Sequence, residues 1–178
     1  DANKAKGSAA DTHRASPQHH ADDAHGAHGD DADELAALRN ERRRALQRGR
    51  FGSLVAIGRE AFVDEVNHAE EDVGVVVFLE KRGHYPSSYM RVLLERLAAK
   101  FCDVKFVAIP HDDCIPGYPD ANLPTLLLYR DDDLLGQRVG TAPYGGKDYG
   151  IDDVEWELSV AGILSSELLR NPHERPHR

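Results

Sequence analysis

The chain has 178 residues, 40% of them hydrophobic and 30% charged, with a formal net charge of −9. That length supports one domain with a real core but not comfortably two. The acidic total argues against a general nucleic-acid binder, which needs a basic surface. The longest apolar stretches, residues 73–79 and 123–129, are strand-sized and too short to cross a bilayer.

Residues 1–32 are rich in Ala, Gly, His and Asp and hold almost no large apolar side chain. Such a stretch cannot bury enough surface to offset its chain entropy, so a disordered tail is expected. Its first residues are polar and small, so no secretory signal is expected there. From Asp33 the character changes. Leu35, Leu38 and Leu46 recur near helical spacing, and Arg39, Arg42, Arg43, Arg44 and Arg48 crowd the second half of the stretch. This reads as an exposed, arginine-rich helix over 33–50, its cations placed to suit the helix dipole.

A folded domain is expected over 51–170. Residues 54–57 read as a short strand. Residues 59–68 read as a helix with Phe62, Val63 and Val66 inward. Residues 73–79 form a β-branched run suited to a strand buried on both faces. After a loop at 83–86, residues 87–101 give an amphipathic helix with a stripe of Met90, Leu93, Leu94 and Leu97. A strand over 104–109 and an irregular stretch over 111–122 follow. Residues 125–129 and 134–139 read as a hairpin around Asp131, Asp132 and Asp133. A last helix is expected over 152–169, capped by Asp152 or Asp153 and stopped at Asn171-Pro172, with a short tail at 171–178. The order β-α-β-α-β, then β-β-α, combines parallel crossovers with an antiparallel hairpin. That is an α/β class: a thioredoxin-like mixed sheet flanked by helices.

Two segments carry a resemblance. Leu123-Pro124-Thr125 before a buried strand, with Gly140 closing the hairpin, resembles the thioredoxin segment in which a cis-proline precedes a strand; an X-Pro bond adopts cis readily. The longer run Cys114-Ile115-Pro116-Gly117-Tyr118-Pro119-Asp120-Ala121-Asn122-Leu123-Pro124-Thr125 resembles the signature of phosducin-like proteins. Phe51-Gly52-Ser53, Tyr144-Gly145-Gly146 and Glu155-Trp156-Glu157-Leu158 extend the likeness. The pattern is most similar to the short phosducin-like type, that of the viral inhibitor-of-apoptosis-associated factor. The resemblance implies a cytosolic co-chaperone that binds the eukaryotic ring chaperonin and modulates folding of actin, tubulin or other clients. A regulator of G-protein βγ is the second reading. The N-terminal helical motif that phosducin uses for βγ is not visible in this sequence.

The chemistry-bearing residues are sparse. In a thioredoxin, Cys-x-x-Cys opens the helix after the central strand, where the helix N-terminus lowers the first thiol's pKa. Here residues 80–88 read Glu-Lys-Arg-Gly-His-Tyr-Pro-Ser-Ser, without cysteine. A hydroxyl cannot replace a thiolate in disulfide exchange, so a binding module is expected and not an enzyme. Cys102 and Cys114, the only cysteines, lack that spacing and read as ordinary thiols of a reducing cytosol. A lone-thiol redox role is the rival reading. His19, His20, His25 and His28 among aspartates could ligate a metal, but solvated low-complexity sequence is the simpler account, so no metal or cofactor is expected. Arg42, Arg43, Arg44 and Arg48 are expected to form a solvated face or to dock an acidic protein partner, rather than nucleic acid or a membrane.

Overall fold

The computed structural model describes residues 34–39, 41–42 and 50–172. The chain divides into two compact units, Asp1–Arg39 and Asn40–Arg178. In the first, residues 34–39 are helical and exposed; Leu35 and Leu38 both face solvent. In the second, residues 41–42 are helical and Arg42 is exposed. The expectations for residues 1–32, for Arg43, Arg44 and Arg48, and for 173–178 lie outside the described residues.

The second unit is built on a five-stranded sheet. Its strands are β1 (Leu54–Ala56), β2 (Val75–Glu80), β3 (Lys105–Pro110), β4 (Thr125–Arg130) and β5 (Asp133–Val139), in the spatial order β1-β3-β2-β4-β5. β1 and β2 run parallel to β3, whereas β4 runs antiparallel to both β2 and β5. This is the mixed α/β sheet expected from the element order. Alternation on the central strand divides the core in two. Val76 and Phe78 point to one face, with Phe106, Leu126 and Leu128. Val75, Val77 and Leu79 point to the other, with Val107, Ile109 and Leu127.

The first face is covered by α1 (Tyr85–Lys100) and α3 (Ile151–Val160). The expected stripe of Met90, Leu93, Leu94 and Leu97 is buried there against Val154 and Leu158. Full burial of each such side chain is worth about 1.5–3 kcal/mol. The second face is covered by Phe62, Val66 and the chain around Leu123.

Three expectations are corrected. Residues 59–68 do not make one α-helix but a 3-10 turn, Arg59–Ala61, and a π-wound segment, Val63–Asn67. Phe62 and Val66, four apart, share the inner face, and that spacing turns Val63 out to 52% exposure. The last helix ends at Val160 rather than near Leu169. Gly162, at φ 75°, takes the left-handed position that ends it. Its N–H donates to Ser159 O (2.9 Å) and the Ile163 N–H to Leu158 O (3.0 Å), the paired bonds of a Schellman stop. Arg130 donates to the carbonyls of Gly162 (2.7 Å) and Ile163 (3.2 Å). The same helix is opened by Gly150, not by Asp152 or Asp153; the Gly150 N–H donates to Asp153 Oδ2 at 2.7 Å.

Beyond α3 the chain stays attached through one carboxylate. Glu155, 2% exposed, accepts from Lys100 Nζ at 2.7 and 2.9 Å and from the Ser166 hydroxyl at 2.6 Å. The hairpin turn places Asp131 (φ 52°) and Asp132 (φ 68°) in the left-handed region. Aspartate tolerates this geometry, and the twist of a two-residue hairpin favours it.

Candidate binding site at the cis-proline end of the sheet

Thr125 pairs with Leu79, so the start of β4 lies beside the end of β2 and the start of α1. The Leu123–Pro124 bond is cis. Two loops therefore meet at this end of the sheet: residues 81–84, which lead into α1, and residues 115–124, which lead into β4. A short helix, α2 (His111–Cys114), and a 3-10 turn, Asp120–Asn122, give partial order to the stretch expected to be irregular.

The signature residues divide into held and displayed. Thr125 is fully buried, and its hydroxyl donates to Asn122 O at 2.6 Å. With that proton used, the Tyr118 hydroxyl donates to Thr125 Oγ1, at 2.9 Å. Asn122 O also accepts the Gly140 N–H at 3.0 Å, and Pro124 O accepts it at 2.9 Å, which ties the loop to the end of the hairpin. Leu123 and Cys114 pack into the second core face. Burial pushes the Cys114 thiol above its ordinary value, away from the thiolate that exchange chemistry needs. Ile115, Pro116 and Pro119 remain exposed.

One ion pair joins the loops. Lys81 Nζ donates to Asp120, which holds that carboxyl below its usual range. His111 lies under the pair, 7% exposed, with Nδ1 3.2 Å from Glu80 O and Nε2 3.3 Å from Asp120 Oδ1. A carbonyl only accepts, so Nδ1 carries a proton. Beside them opens a cleft of about 790 Å³ between Ile57, Arg82, Ser88, Arg91 and Pro110. Arg91 closes one wall by a two-point contact with Glu80, and this pairing raises the pKa of its guanidinium further.

At the opening of α1, where disulfide chemistry would sit, His84 is the N-cap and Ser87 is buried to 1% exposure. They lie three residues apart, with Nδ1 2.9 Å from Oγ. Cys102 is far from this spacing in sequence; its thiol donates to Ala99 O at 3.3 Å. Both cysteines are free. No group of three or more metal-ligating side chains occurs among the described residues, and none of the described helices is long and apolar enough to cross a membrane.

The fold has clear neighbours. Thioredoxin f from spinach chloroplast, short form, superimposes with a TM-score of 0.51 at 18% identity, over 63% of this chain and 96% of that one. The chains of a ferredoxin:thioredoxin reductase and thioredoxin f2 complex include one that matches with a TM-score of 0.52 at 17% identity, over 63% and 97%. At that identity the likeness establishes the fold, which is thioredoxin-like. No protein-family model matches the chain. Sequence relatives are closer. Mouse phosducin-like protein 3 is 39% identical over 125 residues, which are 70% of this chain and 52% of that protein. The Danio rerio phosducin-like protein 3 is 40% identical over the same shares of each chain, and Dictyostelium discoideum phosducin-like protein 2 is 37% identical over 69% and 51%. The chain belongs to the phosducin-like protein family. It spans about half the length of these relatives.

For this phosducin-like chain, sequence reasoning found the signature but not its partners. Nothing local relates Lys81 to Asp120, which lie 39 positions apart. His111 lies in a stretch that reads as irregular, with no local signal for its contacts. The partial signals were the i, i+3 pair His84 and Ser87 and a glutamate, Glu155, on an otherwise inward helix face.

Proposed function

We propose that this chain is a non-catalytic binding module of the cytosol, a co-chaperone that engages the eukaryotic ring chaperonin and modulates folding of clients such as actin and tubulin. The observation that carries the reading is the opening of α1. His84 and Ser87 stand there at the spacing of a thiol pair, and the two thiols of the chain, Cys102 and Cys114, lie elsewhere and twelve positions apart. The fold keeps the platform of a thioredoxin and lacks its reagent. Kinship with phosducin-like proteins supports partner binding as the remaining role. Arg42, Arg43, Arg44 and Arg48 are the cations assigned to an acidic partner in this reading, in which complementary charge mainly speeds association.

The test is co-sedimentation of the full chain with purified chaperonin. Capture is expected at low salt and is expected to weaken at 1 M, where the screening length is about 3 Å. Changing the four arginines to Glu should weaken capture without moving thermal unfolding. Failure to co-sediment at low salt overturns the chaperonin reading, and capture of G-protein βγ in its place transfers the role to a βγ regulator. Insulin reduction with dithiothreitol as electron source should match the blank; turnover abolished by Cys114→Ser would restore the lone-thiol alternative.

A further inference from the structure

The arginine-rich stretch runs into a motif that the docking role uses only at Arg48. Arg48 and Arg50 stand five and three residues before Ser53. Arginine-directed protein kinases read guanidinium groups at such offsets through acidic pockets that take each fork with two hydrogen bonds. In the whole sequence two serine or threonine residues have Arg three positions upstream, Ser53 and Thr141. The structure separates them. Thr141 is half-buried and its carbonyl accepts from Tyr144 (3.1 Å) and Gly146 (3.0 Å), while its upstream Arg138 is engaged by Glu157 at 2.9 Å. Ser53 is exposed in an irregular stretch just ahead of β1, and its hydroxyl takes no partner among the described residues.

The surroundings of Ser53 say what a phosphate would meet. The parallel register pairs Leu54 with Phe106, so one residue back Ser53 lies beside Lys105. Leu54 and Phe106 side with the α1 face of the core. By alternation Ser53 and Lys105 belong to the opposite face, where the π-wound segment lies. On that side Lys105 Nζ is paired with Glu65, and the Arg50 guanidinium grips both carboxylate oxygens of Glu70. The two cations that flank Ser53 are thus each held by a glutamate from one short stretch, residues 65–70.

We propose that Ser53 is a phosphorylation site for an arginine-directed serine kinase, and that its phosphate draws Arg50 and Lys105 away from Glu70 and Glu65. In the transfer Ser53 Oγ bonds to the γ-phosphorus of Mg·ATP as the bond to the bridging oxygen breaks. ADP leaves with that electron pair, and the hydroxyl proton passes to the kinase's aspartate. The phosphoserine carries about −1.5 to −2 charges and three acceptor oxygens, against a single charge on each glutamate. Residues 63–70, anchored to the core mainly through Val66, then lose both ionic ties, to Lys105 of β3 and to Arg50 ahead of β1.

The experiment incubates the full chain with a purified arginine-directed serine kinase and Mg·ATP and maps phosphate by mass spectrometry. A single phosphate on Ser53 is expected. Ser53→Ala should lose it while unfolding at the wild-type temperature. Arg50→Ala should slow incorporation by about tenfold, the loss that follows when a charge-assisted contact is removed. Glu70→Gln keeps the motif and releases Arg50, so its rate should equal or exceed wild type. Phosphate on Thr141 or elsewhere, incorporation undiminished in Ser53→Ala, or Arg50→Ala as fast as wild type overturns the site. In the phosphorylated chain, amide exchange across residues 63–70 should quicken; unchanged exchange there overturns the transfer of ion pairs.

Discussion

The two loops at the cis-proline end are built on opposite principles. Residues 115–124 are fixed from within: Tyr118, Thr125 and Asn122 form a hydrogen-bonded chain, and Leu123 is sunk in the core. Residues 81–84 are held from outside, by Lys81 reaching across to Asp120, with Lys81, Arg82 and Gly83 open to solvent. The contrast teaches where each part of the sequence is spent. Much of the signature reads as a support that sets the shape of its own loop, whereas the loop before α1 is free to vary in chemistry on an unchanged platform.

The largest effect tests that last statement. His84→Cys combined with Ser87→Cys places two thiols at a helix N-terminus with redox spacing. On mild oxidation the double variant should lose both added thiols to a disulfide, and once reduced it should reduce insulin above the wild-type blank. Four thiols still titratable after oxidation, the two added ones together with Cys102 and Cys114, would mean that the platform is not preserved.

Next comes the clamp. Thr125→Val keeps the shape but removes the hydroxyl that Asn122 O and Tyr118 share, which leaves the half-buried Tyr118 hydroxyl unmet and Asn122 O with the Gly140 N–H alone. A loss of about 1–3 kcal/mol in denaturant unfolding is expected. Tyr118→Phe leaves the Thr125 to Asn122 bond in place and should cost about 0.5–1.5 kcal/mol. Equal costs for the two would show that Thr125 is not the centre of the clamp.

The smallest effect belongs to the bridge between the loops. In the folded chain Asp120 titrates below its ordinary value of 3.8, first because of Lys81 and then through His111 and His84. A depressed carboxyl stabilises above its unfolded pKa and loses that contribution as pH falls through the folded value. Lys81→Ala should therefore raise the Asp120 titration, followed by carboxyl NMR, and erase part of the acid-limb slope below about pH 4. Thermal unfolding near neutral pH should barely move, since exposed pairs contribute little. An unshifted Asp120 would mean that the loops are not coupled through this pair.

Patterns with a short period were legible in the sequence. The α1 stripe, the apolar run of β2 and the hairpin around three aspartates each rest on neighbours within a few positions, and the structure keeps them. The end of α3 was not legible. Ile163 and Leu164 are buried as a helical continuation would bury them, but Gly162 and the guanidinium of Arg130 from a distant strand redirect the chain there. Val63 was misplaced because the segment winds as a π-helix, whose period no apolar count of ten residues distinguishes from 3.6. In the candidate site, the spacing that removed the thiols was plain. The hydrogen bonds that give Tyr118, Asn122 and Thr125 their work were not, since they depend on a chain reversal at Pro124.

The anchorage of Glu155 decides where this domain can be cut. A reader of helices would end it at Val160, yet the carboxylate inside α3 takes one partner from α1 and another, Ser166, from six residues past the helix end. A gene trimmed at the helix would remove Ile163 and Leu164 from the core and leave a nearly dry carboxylate with Lys100 alone. A trimmed version of this fold should therefore run at least through Ser166. Its border is drawn by a hydroxyl, in a stretch that belongs to neither helix nor strand.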